Sequence, residues 1–195
     1  MNDIAGMVIG MLGSGEMDQL SSQLGVDSAS TQKAVGAAVP MLLSALGKNA
    51  ASPQGAAALL GALRRDHDGS VLDNVSTALS SGSLGQDGAG ILGHVLGSKQ
   101  KKVAAGIGQA SGLTGASSGQ LLALLAPLVL GSLGKTQRED GLDATGLASL
   151  LSGQRAQANA GLGGLAGLLD MDGDGDITDD VVKLGSKLLG GFFGR

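Results

Sequence analysis

The chain contains no cysteine, tryptophan or tyrosine, and its only aromatic residues are Phe192 and Phe193. Without cysteine it forms neither disulfide bonds nor thiolate metal sites. With so few aromatic residues, its core must be built from aliphatic side chains and alanine. Two histidines, His67 and His94, leave little of the chemistry that acid and base catalysis uses most often. A protein that is not an enzyme is therefore expected.

Charge is also sparse, since charged residues make up 15% of the 195 residues and the net charge is −4. Six of the 17 acidic residues lie within Asp170–Asp180, so the rest of the chain is close to neutral. No basic stripe is present that would bind a phosphate backbone through counterion release. Nucleic acid is therefore an unfavoured partner.

Long apolar runs are absent as well. The longest, Leu121–Leu130, has ten residues and contains Pro127, whereas about 20 apolar residues are needed to span a bilayer. The N-terminus carries Asp3 where a secretory signal would carry a basic residue. We expect no transmembrane segment and a cytoplasmic location, with export by another route left open.

What the chain does have is a repeat. Gly25–Lys48 aligns with Gly112–Lys135 at a constant offset of 87, without a gap, and eight of the 24 paired residues are identical. Both copies contain an interior proline, Pro40 and Pro127. Chance matches of glycine, alanine and leucine are common in a chain with 36 glycines, but proline occurs only three times. An internal duplication is indicated.

The hydrophobic spacing is helical throughout, and strand signals are almost absent. The sequence predicts an all-α fold of two pseudo-repeated multi-helix units, each with a proline-kinked central helix, followed by an acidic loop and a C-terminal helix. The expected boundaries are, in order, a first unit at 1–65, a linker with a short helix at 66–87, a second unit at 88–153, a Gly/Ala-rich connector at 154–169 and the acidic loop and helix at 170–195.

Several residues predict where helices begin and end. Asp27 or Ser28 is expected to cap the central helix of the first unit, and Ser52 followed by Pro53 is typical of a helix start. Gly47 is expected just after the end of its helix, in the position where glycine tolerates a positive φ. By the repeat, the equivalent helix is expected to end at Leu133.

The aspartate-rich segment after Leu169 is the strongest chemical signal. Carboxylates at loop positions 1, 3 and 5, glycine at 6 and an aliphatic residue at 8 are typical of the first part of an EF-hand loop. Position 12 is Val181 rather than glutamate, so a neighbouring aspartate would have to complete the shell. Calcium is the expected ion; the alternative is an acidic helix start. The candidate ligands are Asp170, Asp172, Asp174, Asp176, Asp179 and Asp180.

Two other motifs are weaker. His67 lies between Asp66 and Asp68 and could bind a transition metal, but it lacks a third spaced ligand, so a solvated turn is favoured. The glycines of 88–93 match a dinucleotide fingerprint in spacing alone, because no strand precedes them. His94, alone in an apolar helix, is expected to be a surface or core residue.

A helix-turn-helix is the main alternative. Residues 20–35 contain a helix, a Gly25 turn, a polar cap and a second helix, in which Thr31, Gln32 and Lys33 would face DNA. The second copy has no basic residue between Gly112 and Leu133. A DNA-binding regulator is therefore the less favoured reading.

The segment 24–47, together with Ser52-Pro53, residues 66–73 and residues 91–94, resembles a bacterial family known as domain of unknown function number nine-three-seven, and is similar to the YidB-like proteins. The resemblance covers most of Met1–Gly153. It implies an all-α bundle and supplies no catalytic residues. The sequence as a whole favours a structural or protein-interaction module that can self-associate, with a calcium-binding C-terminal loop.

Overall fold

A computed structural model of the protein describes residues 3–161, with side chains for residues 3–157. This part of the chain is all-α, as predicted, and contains no strand. Its α-helices are α1 (Ile4–Met11), α2 (Ser14–Leu24), α3 (Ser28–Asn49), α4 (Pro53–Asp66), α5 (Val75–Ser81), α6 (Ser83–Val95), α7 (Gln100–Ser111), α8 (Gly115–Glu139) and α9 (Ala144–Gly161). Short 3-10 helices cover Ser70–Asn74 and Gly97–Lys99.

Helix α8 is the centre of the unit formed by Met1–Arg155. It contacts α1, α2, α3, α4, α6, α7 and the 3-10 helix Ser70–Asn74. Its side chains are buried almost without interruption from Leu121 to Gln137. The core is aliphatic, as the composition requires, and Leu121, Leu122, Leu125 and Leu133 are completely enclosed.

The two repeat-bearing helices begin in the same way. Gly25 and Gly112 end the preceding helices with φ values of 66° and 84°, in the left-handed region that glycine adopts without strain. Asp27 then accepts a hydrogen bond from the Ser30 N–H at 2.8 Å, and Thr114 accepts one from the Ser117 N–H at 3.1 Å. These caps satisfy amide groups that have no partner within the helix. Helices α3 and α8 also pack against each other.

The expected ends of these helices were wrong. Helix α3 continues through Gly47 to Asn49, and α8 continues through Gly134 to Glu139. Both glycines are interior packing positions: a β-carbon at Gly47 would lie 3.2 Å from the Leu151 carbonyl oxygen, and one at Gly134 would collide with the His67 carbonyl oxygen. Close approach of another segment, rather than a helix stop, explains the glycine in each copy.

Other helix starts agree with expectation. Ser52 caps α4 by accepting a hydrogen bond from the Gly55 N–H at 3.1 Å, and Pro53 follows in the first helical position. Asp143 accepts from the Gly146 N–H at 2.8 Å at the start of α9. The predicted connector from residue 154 is helical up to Gly161.

Candidate interaction surface

The aspartates predicted to bind calcium, Asp170, Asp172, Asp174, Asp176, Asp179 and Asp180, lie outside the described residues. Among residues 3–161, no group of three or more His, Asp or Glu side chains is arranged to hold a metal ion. The candidate surface on the described unit is therefore not a metal centre. It consists of a groove beside α6 and of the outer face of that helix.

The groove begins at the turn that follows α4. Gly69 has a φ of 97°, which reverses the chain, and the Asp68 carboxylate accepts a hydrogen bond from the Ser70 N–H at 3.0 Å. A β-carbon at Gly69 would lie 2.9 Å from the Lys135 β-carbon. The turn thus packs directly on the C-terminal half of α8 and needs glycine for both its conformation and its fit.

The groove has a volume of about 400 Å³ and is open to solvent. Apolar side chains from the 3-10 helix, α6 and α8 form its floor, among them Val71, Leu84, Ile91 and Pro127. Three carboxylates, Asp66, Asp68 and Asp87, line it together with His67. A groove of this kind can accept the alkyl stem of a basic side chain on its floor and the charged end at its rim.

The carboxylates differ in their partners. Asp68 Oδ2 lies 3.5 Å from Arg138 Nη1, and Asp66 Oδ2 lies 3.8 Å from Nε of Arg65, with both of those side chains mostly exposed. Asp87 is exposed and forms no ion pair with a described residue. The hydrogen bond from the Ser70 amide, aided by Arg138, lowers the pKa of Asp68 below its usual 3.8.

His67 is the half-buried member of the groove. Burial lowers its pKa below the usual 6.5, and the negative charges of Asp66 and Asp87 oppose this only in part. The imidazole is therefore neutral at pH 7. No hydrogen bond of the described residues joins His67 or His94 to a carboxylate or a serine hydroxyl; His94 Nδ1 lies 2.9 Å from the Gly90 carbonyl oxygen, one turn back along α6.

Helix α6 has two contrasting sides. On the buried side, a β-carbon at Gly88 would collide with the Ala123 carbonyl oxygen of α8, so α6 and α8 pack backbone to backbone there. On the exposed side, Gly90 and Gly93 have no heavy atom within 4 Å of where a β-carbon would lie. We define the outer face of α6 by its exposed residues Gln86, Ala89, Gly90 and Gly93, which recur at helical spacing; Gly90 also lines the groove, so the two surfaces adjoin there.

The helix-turn-helix alternative is the arrangement of α2 and α3. Thr31, expected to face DNA, is completely buried. Its hydroxyl donates to the Asp27 carbonyl oxygen at 3.0 Å and accepts from the Ser21 hydroxyl at 3.0 Å. Gln32 and Lys33 are exposed. The first of the three proposed contact residues is thus a packing residue and cannot reach a base edge.

Of the described helices, α8 passes a test of length and composition for crossing a membrane. Within the unit, 72% of its most apolar window is buried. The sequence-based expectation of no transmembrane segment stays a prediction.

Two features of the described unit were not identified as functional from the sequence. Asp87 lies 21 residues from Asp66, and only the packing of α6 beside the turn brings both to one groove. Lys99, Lys101 and Lys102 form a short basic run at the start of α7, and all three are exposed. That run was visible in the sequence as three lysines within four residues of a chain that has only 13 basic residues.

The described residues define an all-α helical domain. Residues 6–137 match the family described as "Bacterial protein of unknown function (DUF937)". The match covers more than half of the chain, which therefore belongs to this family. No curated protein and no solved structure is significantly similar to the chain.

Proposed function

We propose that the protein is a non-enzymatic interaction module that self-associates through the outer face of α6. The observation that carries this proposal is the pair of open glycines, Gly90 and Gly93, in the middle and last turn of a 13-residue helix. Nothing within the same unit requires glycine at either position, whereas Gly88 on the opposite side is required by the contact with α8.

The energetic argument follows from helix propensity. An interior glycine destabilises a helix by about 1 kcal/mol relative to alanine, and α6 carries a third open glycine at Gly85. Glycine without a contact inside the unit is explained if the backbone of a second molecule approaches there, as α8 approaches Gly88. Close contact between the two backbones would then compensate for the low helix propensity of α6.

The chemistry of the described side chains supports a non-enzymatic role. Among the described residues, neither histidine is hydrogen-bonded to a carboxylate or a hydroxyl, and Asp68 is held ionised by a backbone amide and Arg138. A nucleophile paired with a base, which hydrolytic chemistry needs, is missing from the hydrogen bonds of residues 3–157. The same region offers charge and an apolar floor, which suit binding rather than reaction.

The test is the mass of the protein in solution, measured by light scattering on a sizing column over a range of concentrations. We expect the parent to self-associate and the Gly90→Leu, Gly93→Leu variant to remain a monomer. The control is Gly36→Leu, Gly106→Leu, which places the same bulk at two open, exposed glycines of α3 and α7. A parent that stays monomeric at every concentration, or a control that behaves like the α6 variant, would defeat the proposal.

The C-terminal loop is proposed to add calcium binding. The support is its sequence alone: alternating carboxylates and Gly175 in the spacing of an EF-hand start. The ligands would be Asp170, Asp172, Asp174 and Asp176 with Asp179 or Asp180. Calorimetric titration of the full chain with calcium should give binding heat that an Asp172→Ala, Asp174→Ala variant loses. Absence of binding heat from the parent would contradict the proposed calcium binding.

A DNA-binding regulator is the alternative function. It rests on the α2–turn–α3 arrangement and on exposed Gln32 and Lys33. It predicts duplex binding that weakens with salt and is lost in Lys33→Ala. The burial of Thr31 argues for the packing role of this motif, so we expect no retardation of duplex DNA in a mobility-shift assay at low salt.

A further inference from the structure

We propose that the acidic groove of one copy receives the lysine run Lys99–Lys102 of a second copy. This inference rests on the proposed self-association and names the contact that directs it. The occupant is argued from charge complementarity within the chain: a groove lined by three carboxylates and a run of three exposed lysines occur on the same compact unit.

The lysines are poorly accommodated by their own helix. Lys99 lies at the N-cap of α7 without a side-chain cap bond, and Lys101 and Lys102 occupy the first turn, which contains no acidic residue. The N-terminus of a helix carries partial positive charge, so basic side chains there are disfavoured. Neither Lys101 nor Lys102 forms an ion pair with a described residue. Local structure therefore gives no reason for the charges of Lys101 and Lys102.

The groove, in turn, contains carboxylates that lack a close cationic partner among the described residues. Asp87 has no cationic partner among the described residues, and the Asp66–Arg65 pair is long, at 3.8 Å, and exposed to solvent. Exposed pairs of this kind contribute little. The floor of Val71, Leu84 and Ile91 suits the alkyl stem of a lysine, with its ammonium group placed between Asp66 and Asp87.

The positions of the two features make the contact intermolecular. Helix α6 lines the groove with Ser83, Leu84, Asp87, Gly90 and Ile91, whereas the lysines follow the end of that helix at Val95. Asp87 is eight residues from Val95, about 12 Å along the helix axis. Groove and lysines thus lie toward opposite ends of α6. A contact between two different surfaces can repeat head to tail, or it can form twice in a two-fold dimer.

Two neutralising variants test this contact. Lys101→Ala, Lys102→Ala removes the basic run, and Asp66→Asn, Asp87→Asn removes the groove charge. We expect each variant alone to associate at least about tenfold more weakly than the parent. A mixture of the two should form complexes of one copy each that grow no further, since each pair has one intact contact. The control is a matched pair of variants, Lys33→Ala, Arg64→Ala and Asp73→Asn, Glu139→Gln, which change the net charge by the same amounts at exposed residues outside the groove.

Light scattering of the full chain at low and high salt distinguishes the outcomes. Association that both neutralising variants retain overturns this contact but leaves self-association through α6 standing. Loss of association in the Asp66→Asn, Asp87→Asn variant alone means that another segment occupies the groove. That result also overturns the proposed contact. Equal loss in the control means that general charge, not this contact, is responsible. A parent that is monomeric at all concentrations contradicts both the contact and the proposed function.

Discussion

The carbonyl oxygen of His67 lies against Gly134 so closely that a β-carbon at residue 134 would collide with it. Together with the packing of Gly69 on Lys135 and the pairing of Asp68 with Arg138, this approach holds the turn after α4 on the central helix α8. The same turn supplies Asp66, Asp68 and Gly69 to the groove. The groove therefore depends on Gly134, which lies in the segment Gly112–Lys135 that aligns with Gly25–Lys48. The charged residues of the groove lie outside both segments.

Substitution of Gly134 should destabilise the protein and distort the groove. We expect Gly134→Ala to lower the free energy of unfolding by about 1–3 kcal/mol, the usual cost of overpacking a tight contact. Urea denaturation monitored by far-ultraviolet circular dichroism measures this change.

The matched control for Gly134 is Gly119, on the same helix. A β-carbon at Gly119 would meet no heavy atom within 4 Å, so Gly119→Ala should raise stability by up to about 1 kcal/mol through helix propensity. Equal effects of the two substitutions would mean that the contact with His67 does not constrain Gly134.

Alanine at the open glycines of α6 should separate stability from association. At protein concentrations low enough to keep the protein monomeric, Gly90→Ala and Gly93→Ala are each expected to stabilise the unit by up to about 1 kcal/mol, because α6 gains propensity and no atom of the same chain is displaced. Gly88→Ala on the buried side should destabilise it instead. Thermal unfolding of the three variants checks the order; destabilisation by alanine at Gly93 would show that this face is already packed.

Thr31 should prove to be a structural residue. Thr31→Val keeps the shape of the side chain but removes the hydroxyl that bonds the Asp27 carbonyl oxygen and the Ser21 hydroxyl. We expect a loss of about 1 kcal/mol, the usual net contribution of a hydrogen bond, since the Asp27 carbonyl oxygen keeps its bond from the Thr31 amide and the Ser21 hydroxyl keeps its bond to Met17. Chemical denaturation measures the loss, and Thr77→Val on the exposed surface of α5 is the control. An unchanged midpoint for Thr31→Val would contradict the packing role.

Mild acid should destabilise the protein through His67. Its pKa is lowered in the folded state, so the unfolded chain takes up the proton first as pH falls below 6.5. The stability linked to this group is complete above pH 6.5 and is lost as pH falls through the folded pKa. Stability measured between pH 7.5 and pH 5 should therefore decline less in His67→Gln than in the parent.

The carboxylates act at lower pH. The pKa values of Asp27 and Asp68 are lowered from 3.8, chiefly by hydrogen bonds from the Ser30 and Ser70 amides. Their contribution is present above pH 3.8 and is lost on further acidification.

If His67→Gln and the parent had the same profile of stability against pH between pH 7.5 and pH 5, the assignment of His67 as neutral and half-buried would be wrong.

The sequence was sufficient for features that depend on local chemistry. Gly25 ends α2, Asp27 caps α3 and Ser52-Pro53 begins α4 because capping and positive φ involve only a few consecutive residues. It was misleading at Gly47 and Gly134, where a glycine near the expected helix end is in fact required by a distant carbonyl oxygen. Local pattern cannot distinguish these two uses of glycine.

The groove could not be predicted for a related reason. Asp66 and Asp87 belong to different helices, and they share a groove only because Gly88 and Gly134 let α6 and the turn approach α8 closely. The run of lysines was visible in the sequence. Its proposed role, however, depends on its position at the positive end of α7 and away from the acidic groove.

The central claim, that copies of the protein meet through the outer face of α6, is tested most directly by hydrogen exchange at low and high protein concentration. The account predicts that amides of residues 89–94 exchange more slowly at high concentration, while those of the exposed face of α4 do not change. This protection should disappear in Gly90→Leu, Gly93→Leu. Exchange in α6 that is independent of concentration would contradict the claim.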